Sequence, residues 1–459
     1  MPQTVDTLII GGRVFLDGGL HETSLAIADG VVVGYGPPSA FAAAETVNAR
    51  GAYLLPGVVD PHMHLACVFS DDDFATASKS AAFGGVTTIL DFTFQEPGKL
   101  PSDAFREKAA IGERESYVDF SFHCALTQEN HETIRDVGEL IRAGTTNSFK
   151  FFMAYDFNVS TGFMHDALLE IGRNDGIGMV HAEDPSVINY RVRDFQQRDC
   201  CAPTYFPEAH PAFSEETAVY TAIAVARKAR ARLYVVHVTT KEGASLIRRA
   251  RADGLPIYGE TCPHYLTVTR DEYVRTGSLG IMCPPLREEA DAAALWDAIG
   301  QGGLDCIGTD HAAFRRSRKI PGDEHFWRSP FGAPGVETVL PILHEHGVRR
   351  GRLPLSRMVE LMCEAPARLY GCPTKGSLAP GKDADVVVFD PAMTVELRAD
   401  DMHTGSDYTL YEGWKVTGWP RSTMVRGEFV VRDGQLVGRP GFGRSVPRGR
   451  RSADPPASA

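Results

Sequence analysis

Gly57-Val58-Val59-Asp60-Pro61-His62-Met63-His64 opens as a run of apolar, partly β-branched residues and closes on two histidines spaced by two. The run reads as a short strand buried on both faces, and in an extended chain a spacing of two points both imidazoles to the same side. Metal-capable side chains therefore gather at the C-terminal end of a buried strand. Seven further apolar runs follow the same plan, at residues 87–92, 117–125, 148–152, 178–181, 233–237, 257–260 and 306–309, each followed by a polar or Gly-containing turn and a helical stretch rich in Ala, Glu and Arg.

With the run at 57–61 this makes eight strands alternating with helices over roughly 300 residues, the pattern of a (β/α)8 barrel, whose chemistry sits at the C-terminal ends of its strands. A doubly wound open sheet is the competing fold, but the chain contains no GxGxxG or GxxxxGK[ST] stretch to support it. The flanks read differently. Short apolar runs punctuated by Gly, Asp and Pro fill the first 55 residues, and similar runs return at 384–389, 394–397 and 422–431. We therefore expect an α/β TIM barrel over residues 56–373 and a composite β-sandwich domain built from residues 1–55 and 374–440. Residues 441–459 form a Pro-, Ser- and Ala-containing tail carrying Arg444, Arg448, Arg450 and Arg451, expected to pack on a neighbouring subunit or to be disordered.

A formal charge of −12 over 459 residues argues against nucleic-acid or anionic-membrane partners, which require a clustered basic footprint. The chain has no run of 18 apolar residues and no basic segment ahead of an apolar one at Met1 to Asp6, so a cytoplasmic location is expected. Its nine cysteines show no CxxC pair and are expected to be free thiols.

The metal-capable residues fall where a barrel would bring them together. His62 and His64 close the first strand, Lys150 lies in the fourth, His181 and His237 end the fifth and sixth, and Asp310 follows the eighth. Each is ordinary alone: a strand-end His is usually hydrogen-bonded core, and an Asp after a strand usually caps a helix. Jointly they converge on one mouth, and structural histidines have no reason to choose the same edge. Lys150, in Ser148-Phe149-Lys150-Phe151-Phe152, would be a desolvated ammonium with no lone pair for a metal. Reaction with carbon dioxide would turn it into an anionic carbamate able to bridge two cations. The alternative is a buried Lys paired with a carboxylate.

At this point the chain resembles the amidohydrolase superfamily, and within it the dihydropyrimidinase and hydantoinase branch of cyclic amidohydrolases. The resemblance rests on Leu55 to His64, Ala82-Phe83-Gly84-Gly85-Val86-Thr87-Thr88, Phe151-Phe152-Met153-Ala154-Tyr155, Gly259-Glu260-Thr261-Cys262-Pro263, Gly308-Thr309-Asp310-His311 and Gly441-Phe442-Gly443-Arg444. It implies two zinc ions per subunit. His62, His64 and Asp310 would hold the more buried ion, His181 and His237 the more exposed one, and carboxylated Lys150 would bridge them together with a hydroxide. It further implies Asp310 as proton shuttle, Tyr155 as donor to the developing oxyanion, and a homotetramer.

The resemblance also marks two departures. Main-chain groups of a Ser before Pro-Pro-Leu-Arg and of an Asn after strand eight hold the ring in the family, whereas here Cys283 and Phe331-Gly332-Ala333 occupy those places. With Tyr155 and Phe152, the residues Cys283, Phe331 and Gly332 are the expected substrate contacts, and Phe69 and Phe157 are further candidates for the wall. His311 is expected to support the site rather than to bind metal. A dihydroorotase would carry an Arg soon after HxH, where this chain has Leu65-Ala66-Cys67, and Met153-Ala154-Tyr155 favours a hydantoinase over an allantoinase. A non-catalytic scaffold relative would have lost ligands, and all six positions are filled here.

Overall fold

The computed structural model describes residues 1–449. Eight parallel strands form one sheet in sequential order: β1 (Val58–Met63), β2 (Val86–Phe94), β3 (Asp119–Ala125), β4 (Ser148–Phe152), β5 (Ile177–His181), β6 (Arg232–Val235), β7 (Ile257–Thr261) and β8 (Cys306–Ile307). The sheet closes where Met63 bridges His311 in parallel and His64 N–H donates to the His311 carbonyl at 2.8 Å. Helices such as Phe74–Phe83, Pro101–Glu115 and Thr161–Arg173 follow the strands, giving the (β/α)8 barrel. Strand β4 shows how the alternation works. Phe149 and Phe151 join the large cluster that packs strands against helices, which turns Ser148, Lys150 and Phe152 toward the interior.

Two strands end earlier than expected. β6 stops at Val235 and β8 at Ile307, so His237 and Asp310 stand on the turns beyond them, with φ of +36° and +48°. Left-handed backbone cannot continue a ladder, and the His237 N–H donates to Glu260 Oε1 at 3.3 Å instead.

The remaining strands form two further sheets. One is N-terminal throughout and runs Val31–Gly36, Ser24–Ala28, Gln3–Ile10, Phe41–Asn48. The last of these, Ala-rich and mostly exposed, was not evident in the sequence. The other mixes both chain ends: Val386–Glu396 pairs antiparallel with Tyr53–Pro56, which pairs in parallel with Arg13–Leu16. Sandwich and barrel are joined through Lys375, whose buried ammonium meets Asp385 at 2.9 Å, Asp383 at 3.0 Å and Asp119 at the start of β3.

The described part of the tail, for which the sequence suggested packing on a neighbouring subunit or disorder, is ordered against its own barrel. Phe120 N–H donates to the Arg444 carbonyl at 3.0 Å and Val446 N–H to the Phe120 carbonyl at 2.7 Å. Arg448 is fully buried and donates to the Tyr370 carbonyl at 2.6 Å and to Ser148 Oγ at 2.8 Å, at the end of the barrel remote from the histidines. Arg450 and Arg451 lie outside the described residues. All nine cysteines are unpaired, and no helix among the described residues is long and apolar enough to cross a membrane.

Candidate active site

The C-terminal mouth of the barrel holds a cavity of about 430 Å³ whose lining includes His62, His64, Lys150, His181, His237 and Asp310. A cleft of about 1000 Å³ beside Trp296 is larger, but contains no such gathering of donors. Asp310 Oδ1 is 3.2 Å from His62 Nε2 and 3.3 Å from His64 Nε2, while His181 Nδ1 faces His237 Nε2 at 3.0 Å. Two imidazole nitrogens at that separation can share at most one proton.

The far sides of two rings are held by carboxylates. His62 Nδ1 is paired with Glu260 Oε1, and His181 Nε2 lies 2.9 Å from Glu183 Oε2. If each ring donates its N–H outward, its other nitrogen presents a lone pair inward. Burial, the largest influence, pushes His62, His181 and His237 below the ordinary imidazole range, which keeps the rings neutral. His64 Nδ1 and His237 Nδ1 are buried with no partner among the described residues. A set of neutral imidazoles and one carboxylate, aimed at a common space, fits a divalent cation such as zinc.

Lys150 is 1% exposed and forms no ion pair among the described residues. Its Nζ instead lies 5.0 Å from the Phe92 ring centre and 5.1 Å from that of Phe152. Burial lowers its pKa to about 7, against the weaker opposing pull of Asp310 and Glu260. A paired structural Lys would have a carboxylate at contact distance, and this one has none.

Glu260 and Glu183 were not singled out from the sequence. Glu183 carried a signal in its spacing of two from His181. Glu260 carried one in closing the apolar run of β7, where a carboxylate has no structural purpose. Gly308 makes room for the arrangement, since a Cβ there would stand 2.7 Å from Glu260 Oε2 and 3.0 Å from His62 Cβ. His311 lies outside the donor set: its Nε2 meets Asp72 Oδ2 at 2.9 Å and its Nδ1 accepts from Gly335 N–H at 3.1 Å.

The cavity wall is aromatic and includes Phe69, Phe152, Phe157 and Phe331, along with Tyr155, Cys283 and Gly332. Tyr155 has φ of +75°, so three non-glycine residues of this mouth, with His237 and Asp310, are left-handed. Each such residue costs on the order of 1 kcal/mol or more, and such residues tend to cluster where function over-determines the backbone. Loss of water, then Cys283 and Glu183, hold the Tyr155 phenol well above its ordinary pKa, so it remains an O–H donor. Lys319, also missed, is fully buried and donates to the carbonyls of Pro330 at 2.7 Å and Gly332 at 2.9 Å and to that of Ile281, tying together the two segments that carry Cys283 and Phe331.

The amidohydrolase family matches the chain over residues 53–430. A D-hydantoinase of Geobacillus stearothermophilus is 35% identical over 460 residues, covering 97% of each chain. One of Streptomyces coelicolor is 36% identical over 458 residues, covering 96% of this chain and 98% of the relative. The crystal structure of a dihydropyrimidinase from Brevibacillus agri superposes with a TM-score of 0.95 at 33% identity, covering 98% of this chain and all of that one.

Proposed function

The chain belongs to the amidohydrolase family, in its hydantoinase and dihydropyrimidinase branch, and from there we propose that it opens neutral five- or six-membered rings containing CO–NH–CO to N-carbamoyl or amic acids. The observation that carries this reading is the convergence of His62, His64, His181, His237 and Asp310 around an unpaired, buried Lys150 on one wall of an aromatic cavity that also holds the Tyr155 phenol. In this reading His62, His64 and Asp310 would hold one zinc ion and His181 and His237 a second, and Lys150, as a carbamate, would supply an anionic ligand. The two ions, when bound, supply an ionised water at neutral pH and polarise the ring carbonyl.

The chain's own groups do the rest. Asp310, with one oxygen toward His62 and His64, has the other free to take the proton of the attacking water. As the ring C–N bond breaks and its electron pair stays on nitrogen, Asp310 returns that proton to the nitrogen. Tyr155 donates its O–H to the carbonyl oxygen as charge builds there. The phenylalanines exclude water and receive an apolar ring substituent. Tyr155→Phe is expected to lower kcat on the order of 10²- to 10³-fold, the usual effect of losing one oxyanion donor. Steady-state kinetics check this, and wild-type activity in the variant would reduce Tyr155 to a wall residue.

Neutral substrates are favoured because the cationic side chain lining the cavity is Lys150 itself, with no arginine among the described lining residues to grip a carboxylate. A ring-opening assay of the zinc-loaded protein against dihydrouracil, 5-substituted hydantoins, cyclic imides, allantoin and dihydroorotate tests the reading. Turnover of hydantoins or dihydropyrimidines with poor use of dihydroorotate is expected, and preference for dihydroorotate over all of them contradicts it.

A further inference from the structure

Beside the donor set described above, three more buried ligand-bearing side chains meet. Cys283 Sγ is 3.2 Å from Glu183 Oε2 and 3.4 Å from His210 Nδ1, and His210 Nδ1 is 3.3 Å from Glu183 Oε1. They come from separate parts of the chain. Glu183 lies two residues past β5, His210 follows the short helix Phe206–Ala209, and Cys283 stands shortly after the turn Gly277–Gly280. Their meeting is therefore a product of the tertiary fold. Each residue is at least nine-tenths buried, and Cys283 alone of the three lines the active-site cavity.

The spacing is informative. Bonds of about 2.3 Å to sulfur and about 2.0–2.1 Å to nitrogen and oxygen, at tetrahedral angles, set ligand atoms about 3.3–3.6 Å apart. Here the sulfur lies 3.4 Å from His210 Nδ1 and 3.2 Å from Glu183 Oε2, while Nδ1 lies 3.3 Å from the other carboxylate oxygen, Oε1, so a rotation of the Glu183 carboxylate that brings one oxygen toward both completes one face of a coordination tetrahedron. The sulfur distinguishes it from the neighbouring donor set of imidazoles and carboxylate, because a thiolate selects softer cations.

We propose that Glu183, His210 and Cys283 form a separate binding site for a soft divalent cation, zinc in excess or cadmium, and that its occupation inhibits the enzyme. On binding, the Cys283 S–H bond breaks and its proton leaves to solvent, the hydrogen that His210 Nδ1 turns toward Glu183 is given up while Nε2 takes up a proton in its place, and the sulfur, Nδ1 and a Glu183 oxygen each donate an electron pair to the cation. Inhibition follows from shared parts. Glu183 Oε2 is the partner of His181 Nε2 at 2.9 Å, so a cation drawing on that carboxylate loosens the ring that faces His237. Cys283 is also a wall residue, so the cation would sit where the ring substrate enters. The inhibitory consequence rests on the ring-opening activity proposed above, whereas binding does not.

Cadmium added to the zinc-loaded protein tests both parts, with near-ultraviolet thiolate-to-cadmium absorbance reporting the sulfur ligand and equilibrium dialysis reporting affinity. One saturable thiolate-linked cadmium per chain is expected in the wild type. Cys283→Ser should abolish the absorbance, and His210→Gln should weaken the site at least tenfold, with circular dichroism verifying that each variant is folded. Hydrolysis by the wild type should fall over the same cadmium range. Absence of the absorbance in the wild type, its survival in Cys283→Ser through another thiol, or unchanged affinity in His210→Gln overturns the site. Saturation without loss of hydrolysis overturns the inhibitory role. If no ring substrate is turned over at all, the absorbance still decides the site, so its failure and that of the proposed activity are distinguishable.

Discussion

Lys150→Ala is expected to leave a folded chain that has lost the paired metal site and nearly all ring-opening activity. The fold should survive because Lys150 contributes no ion pair among the described residues, and its amine sits between the Phe92 and Phe152 rings, where an ammonium is poorly solvated. Metal retention should not survive, because alanine supplies no anion between the two groups of histidines. The metal content read by elemental analysis is expected to fall from two ions per chain to one or none, together with kcat. Acetate or propionate, small enough to enter the vacated space, should restore part of both. Full zinc content with full activity in Lys150→Ala would show that the lysine has no bridging role.

Asp310→Asn separates holding from proton transfer. Burial by itself would raise the Asp310 pKa, but the neighbouring His62, His64 and His237 rings hold it well below the usual carboxylate range, so the side chain stays an ionised carboxylate throughout neutral pH. An amide of the same shape coordinates weakly and accepts no proton. Asparagine is also a suitable replacement on backbone grounds, since position 310 has φ of +48° and Asn tolerates the left-handed region better than most residues. A fall in kcat on the order of 10³-fold or more is expected, about 4 kcal/mol in the barrier, with the chain folded and much of the metal retained. A loss below tenfold at full metal content would place the proton shuttle elsewhere.

Much of this was legible in the sequence because a parallel barrel writes its chemistry at fixed places. Each buried strand is a short apolar run, and His62, His64, Lys150 and His181 stand within such runs or at their ends, where side chains of that kind need a reason to be. His237 and Asp310 were located as residues but not as backbone. Their left-handed conformation belongs to the tertiary surroundings, with the His237 N–H turned to Glu260 and Asp310 Oδ1 to His62 and His64, and no local pattern records it. Glu183, Glu260 and Lys319 were assigned no role from the sequence. Glu260 and Lys319 act through partners distant in the chain, Glu260 on His62 and Lys319 on the carbonyls of Pro330, Gly332 and Ile281, whereas Glu183 stands two residues from His181 and its spacing was not read as a contact. The exposed strand Phe41–Asn48 was not evident as a separate apolar run, since alanine has little strand preference and its strand state is imposed by parallel pairing with Gln3–Ile10. Nothing in the tail's composition marked Arg448 for burial, and its guanidinium lies against Tyr370 and Ser148.

The central claim is that Lys150 acts as an anion, and carbon-13 NMR of the zinc-loaded chain prepared in ¹³C-bicarbonate tests it most directly. The pKa of the buried amine, lowered to about 7, leaves a large neutral fraction able to attack carbon dioxide near neutral pH. One carbamate resonance per chain is expected, absent from Lys150→Ala and lost when the metal is removed. A wild-type chain with full zinc, full activity and no carbamate resonance would contradict the account.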